Sequence, residues 1–259
     1  MNDMIASGEE LFAQYEELLL RKNDLKKECF HLQREYVRVF GEAIMAVFRL
    51  KLECVKRIKT IEFCQKDLNR GKEPDTEALQ SFVIQETQEL RDHLQGMKQE
   101  YESSQNIGQI TEAEAAQIRK LYRRIVKRLH PDTHPEIGTD EQLMDIWNQV
   151  TVAYECNDLS TLEELEVMAS AALARAGSKA YNTEIPNIEE RMEKIKIEIR
   201  EIMDKDPYKY KFLLNDPEKV QIKKDALEAE RKNYEEYCAA LDSRLAGILP
   251  EGVMIVWDK

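Results

Sequence analysis

Positions Leu11, Tyr15, Leu18, Lys22, Leu25, Cys29, Leu32, Tyr36, Val39, Ala43, Ala46 and Leu50 alternate steps of four and three residues, with Lys22 as the sole interruption. That spacing predicts one long helix carrying a heptad seam. Val55, Ile58 and Ile61 extend it to the break at Asn69-Arg70-Gly71-Lys72-Glu73-Pro74. The expected helix has about 60 residues and a length on the order of 90 Å at about 1.5 Å per residue. A second helix, capped near Asp75 or Thr76, carries Leu79, Val83, Leu90, Leu94, Met97 and Tyr101. The short connection predicts an antiparallel coiled-coil hairpin over residues 1–105.

A charged fraction of 34% beside only 9 Gly and 7 Pro in 259 residues suits long solvated helices better than a sheet, so the fold class is all-α. Further along, Ile188, Met192, Ile195, Ile199 and Ile202 start another seam, which Asp206-Pro207 interrupts. It resumes through Val220, Leu227, Tyr234, Cys238, Leu241, Leu245 and Ile248. This predicts a C-terminal helical hairpin over 187–250, followed by a short tail, 251–259, in which Val253 to Trp257 reads as a short strand or a docking segment.

Between the seams lies the run from Ile118 to Leu129. Ile118, Leu121, Ile125 and Leu129 make one apolar stripe. The six basic residues fall off it in two rows, Arg119, Arg123, Lys127 and Lys120, Arg124, Arg128, with no acid in the run. Like charges at four-residue spacing cost a few tenths of a kcal/mol per pair, so an acidic partner is a physical reason for them. Thr111 and Glu114 have capping-box spacing at the start, and Ser160 and Glu163 repeat it before Leu165, Val167 and Leu173. At the far end Pro131 restricts His130 to extended geometry and cannot continue the helix. Asp132 is then held in a turn beside the basic face.

The stretch from Ile118 to Asp132 resembles the second helix and His-Pro-Asp signature of a J-domain. Leu143, Ile146, Trp147, Val150 and Tyr154 resemble the family's third helix, which packs antiparallel on the second. The resemblance covers residues 107–176. It is to the class that carries a J-domain without a glycine- and phenylalanine-rich linker or cysteine-rich zinc repeats. The family's first helix, with its aromatic-x-x-Leu-Gly pattern, has no match upstream: Tyr101 lies at the right distance, but Gln105-Asn106-Ile107-Gly108 departs from it.

The resemblance implies a co-chaperone that docks on a heat-shock-70 chaperone and stimulates its ATP hydrolysis. Arg119, Tyr122, Arg123, Arg124 and Lys127 would make the docking contact, while His130, Pro131 and Asp132 would act as the trigger. The alternative is a coiled-coil structural adaptor that keeps the bundle as a scaffold without stimulation. Because hydrolysis belongs to the partner, the chain need not be an enzyme. It also has no evident nucleophile, base and orienting group, and no phosphate-cradling glycine loop. Client proteins would bind through the coiled-coil arms. The first helix is about twice as long as the second, which leaves seam open to homodimerisation.

A net charge of −12 argues against nucleic acid as a partner. Even residues 111–176 carry 7 Lys and Arg against 12 Asp and Glu, a net of −5. No metal or other cofactor is expected: His130, Asp132 and His134 share a loop with two prolines and no further ligands. Cys29, Cys54, Cys64, Cys156 and Cys238 form no C-x-x-C pair, so neither a zinc site nor a disulfide framework is expected, and a reducing cytoplasm suits them. Met1 to Glu10 lacks a secretion signal, and the apolar run Ala43 to Phe48 is too short for a bilayer.

Overall fold

The computed structural model describes residues 2–105, 111–134, 137–175 and 187–248. Among these all regular structure is helical: α1 Asn2–Leu68, α2 Thr76–Glu86, α3 Gln88–Gln105, α4 Glu112–Leu129, a 3₁₀ turn Ile137–Thr139, α5 Glu141–Glu155, α6 Leu159–Arg175, α7 Ile188–Asp204, α8 Tyr210–Leu214 and α9 Pro217–Ala246. No helix among them is long and apolar enough to cross a membrane. The expected tail, 251–259, lies outside the described residues.

The chain divides into two compact units, and they do not follow the three consecutive stretches expected from the sequence. The first contains residues 1–33 and 108–211, the second 34–107 and 212–259. Because α1 contributes to both, its burial does not trace one seam. Of the seam positions and their extension Tyr15, Cys29 and Ile61 are buried, whereas Leu19, Val37, Phe40, Val47 and Leu52 are buried outside it. A helix covered on more than one side buries more than one stripe.

In the first unit, α4, α5 and α6 enclose a core of Ile118, Leu121, Ile125 and Leu129 with Ile146, Val150, Leu162 and Leu165. Removing each such side chain from water stabilises the bundle by about 1.5–3 kcal/mol. The Thr111–Glu114 capping box starts α4, satisfying the Glu114 amide and the Thr111 amide reciprocally. The expected Ser160–Glu163 cap is replaced two residues earlier: Asp158 accepts from the Thr161 amide and hydroxyl, so α6 begins at Leu159. Val167, expected on the apolar face, is 69% exposed. Tyr15 and Leu19 of α1 pack with Met192, Ile195 and Ile199 of α7, and Leu20 packs on the α4–α6 core.

In the second unit α2 and α3 run back along α1. Cys64 meets Leu79 and Val83, the Phe48 ring lies 5.0 Å from His93, and Arg34 donates to the Ser103 carbonyl. The one helix expected from Asp75 to Tyr101 is divided at Thr87, whose hydroxyl donates to the Val83 carbonyl while Arg91 bonds both Thr87 Oγ1 and the Ile84 carbonyl. The Val83 carbonyl thus accepts both the amide and the hydroxyl of Thr87, and Arg91 reaches the Ile84 carbonyl at the end of α2.

The α9 stripe expected from the sequence is used, but not against α7. Tyr234, Cys238, Leu241 and Leu245 pack with Cys54 and Ile61 of α1, and Cys54 is joined to Cys238 by a disulfide. Thus α7 is buried against α1 in the first unit and α9 against α1 in the second, in place of the expected C-terminal hairpin. This one disulfide stands against the expectation of no disulfide framework, and residues 184 apart in sequence give no spacing signal for it.

Candidate functional site

The site is built on the C-terminal end of α4. His130 caps the helix with φ −72° and ψ 124°, the extended geometry that a following proline requires. Its backbone amide donates to the Val126 carbonyl, and its carbonyl receives the Thr133 and His134 amides at 3.1 and 2.9 Å. The imidazole folds back: Nδ1 accepts the Asp132 amide at 3.0 Å. His134 Nε2 pairs with the Lys127 carbonyl at 2.9 Å. The turn is therefore fixed by its own backbone and two imidazoles.

His130 is 6% exposed, with its ring edge-on to Trp147 at 4.6 Å. Burial pushes its pKa down to about 4, against the opposing Asp132 charge, with Lys22, His134 and Lys26 adding to the drop. At neutral pH the ring is uncharged, and with Nδ1 occupied as an acceptor its proton resides on Nε2. Asp132 stands exposed, and its carboxylate makes no hydrogen bond or ion pair among the described residues. Arg191 of α7 reaches its backbone carbonyl at 3.4 Å.

Of the basic residues singled out, Arg119, Arg123, Arg124 and Lys127 are exposed on α4. With Ala116 and Lys120 they line a shallow open cleft that contains no acid. Arg124 is tied to Glu166 of α6 at 2.8 Å, and Arg128 donates to Ser170 at 2.9 Å. Lys127 lies 3.5 Å from Glu16 of α1. Arg119, Lys120 and Arg123 make no ion pair among the described residues.

Tyr122 is a correction. It is 1% exposed, and its ring stacks on Tyr154 at 3.7 Å with the planes 8° apart. A side chain placed there offers a partner no surface; it belongs to the core that supports the basic face. Tyr154 in turn donates to Asp24 and carries the Lys27 ammonium 3.8 Å above its ring. Burial there pushes the Lys27 pKa down to about 8.

Sequence reasoning missed the contribution of α1. Lys22, Asn23 and Lys26 line a small cavity with His130, Asp132 and Trp147, and Glu16 reaches the basic row. These residues lie about 100 positions upstream of α4, and nothing in their local pattern signals the pairing. Among the described residues no three His, Cys, Asp or Glu side chains gather as metal ligands. No family model, curated protein or solved structure matches the chain.

Proposed function

We infer that the chain is a J-domain co-chaperone: it docks on a heat-shock-70 chaperone through α4 and the His130-Pro131-Asp132 turn and stimulates the partner's ATP hydrolysis. The observation that carries this reading is the exposed Asp132, whose carboxylate has no partner among the described residues, in a turn that the His130 imidazole fixes through the Asp132 amide at the end of the cationic face of α4. Arg119, Arg123, Arg124 and Lys127 supply charge complementarity to an acidic surface, which governs encounter rate and specificity. Asp132 presents the one anion, and Pro131 sets its direction. Catalysis stays with the partner, and clients bind along the long helices.

The cytoplasmic setting attached to this reading meets one opposing feature. The Cys54–Cys238 disulfide is of a kind that a reducing compartment keeps open.

A second reading, a structural adaptor without stimulation, is favoured by the absent aromatic-x-x-Leu-Gly pattern and by the loss of Tyr122 from the surface. Single-turnover ATP hydrolysis by a heat-shock-70 chaperone separates the two. Wild-type protein is expected to accelerate hydrolysis, and Asp132→Asn to abolish the acceleration with its circular dichroism unchanged. Equal stimulation by both proteins overturns the role of Asp132; none by the wild type favours the adaptor.

A further inference from the structure

The basic face of α4 has acids of its own chain along one flank. Arg123 and Lys127 share a cleft of about 420 Å³ with Glu16, Glu17, Arg21 and Asp24 of α1. Asp24 is already engaged by the Tyr154 hydroxyl. Glu16 is different: its side chain is only 13% exposed, its Oε1 has no hydrogen-bond partner, and the Lys127 ammonium stands 3.5 Å away. Lys127 itself is 61% exposed. An attraction of this kind is weak and can be displaced, because one partner is free to turn into solvent.

The acid cannot easily retreat. Leu20 is packed on the α4–α6 core, Asp24 is bonded to Tyr154, and Lys27 lies over the same ring. These contacts hold the Glu16 turn of α1 against α4. Away from Glu16, Arg119 and Lys120 make no ion pair among the described residues, while Arg124 is held by Glu166 of α6.

We propose that α1 is an internal competitor for the α4 docking face: Glu16 engages Lys127, in a cleft that Arg123 also lines, with the same chemistry an acidic partner would use, and so weakens docking without blocking it. This rests on the docking reading above and specifies how that surface is regulated. The partner must displace Glu16 from Lys127, whereas Arg119 and Lys120 carry no ion pair among the described residues.

The test is the affinity of the full chain for a heat-shock-70 chaperone at low and high salt, for wild type, Glu16→Gln, Lys127→Ala, the double variant, and Glu89→Gln. Glu89 is an exposed acid in the first turn of α3, in the second unit, and controls for net charge. Glu16→Gln is expected to bind about two- to five-fold tighter at low salt. The gain should vanish at high salt, where exposed charges are screened. It should also vanish in the Lys127→Ala background, and Glu89→Gln should bind like the wild type. Equal affinity of Glu16→Gln and wild type overturns the competitor role, as does an equal gain from Glu89→Gln. No binding by any of these proteins removes the docking reading, and the competitor with it.

Discussion

The fold keeps the His130 ring neutral to well below its ordinary pKa, and that has a consequence in pH. Its folded pKa, about 4, lies below the ordinary value of 6.5, with burial as the main cause. Above pH 6.5 both folded and unfolded chains carry a neutral ring, and this part of the stability is fully present. Between pH 6.5 and 4 the unfolded chain takes up a proton that the folded one refuses, so stability falls with pH, by on the order of 3 kcal/mol in total. Urea unfolding at pH 7.5 and 4.5 should show this loss in the wild type and much less of it in His130→Gln; identical losses in both would assign it to other groups. The direction of Asp132 was legible in the sequence, since proline restricts its neighbour and breaks the helix wherever it stands. The burial of Tyr122 was legible too, since it stands four residues after Ile118 and three before Ile125, at stripe spacing; the resemblance to a J-domain put it on the docking face instead, and the structure stacks it on Tyr154.

Among the elements, α4 was the most legible, because its apolar stripe, its capping box and its terminating proline all agree locally. The role of α1 was less so. Its helical period is plain, but which face is buried is decided by α7 in one stretch and by α2, α3 and α9 in another. One position shows how close these approaches are: a Cβ added at Gly41 would lie 2.8 Å from the Tyr101 ring and 3.3 Å from Val37. Gly41→Ala is therefore expected to destabilise the protein by about 1–3 kcal/mol despite alanine's better helix propensity. Calorimetry checks the sign, and a stabilised variant would mean that α3 can move aside. The disulfide between α1 and α9 closes a loop of sequence separation 184. Chain entropy then predicts that reduction lowers unfolding stability by up to about 5 kcal/mol. Denaturation with and without dithiothreitol tests this, and coincident curves would contradict it.

For the whole molecule, the charge balance and the order of segments pull apart. A net charge of −12 would keep polyanions away, yet one helix gathers six cations without an acid between them. Segments far apart in sequence form each unit: residues 1–33 join 108–211, and 34–107 join 212–259. A sequence pass that proceeds stretch by stretch finds the helices and misses this exchange, because apolar stripes state that a face is covered and not by what. In the co-chaperone reading we propose, the cationic face of α4 meets an acidic surface on a chaperone. Its most direct test is the affinity of the full chain for a heat-shock-70 protein, measured across salt concentration beside Arg119→Glu/Arg123→Glu. Wild-type affinity is expected to fall as salt rises, and the variant to bind at least about ten-fold more weakly at low salt, within the range measured for charge pairs across interfaces. Affinity that is indifferent both to salt and to the reversed charges would contradict it.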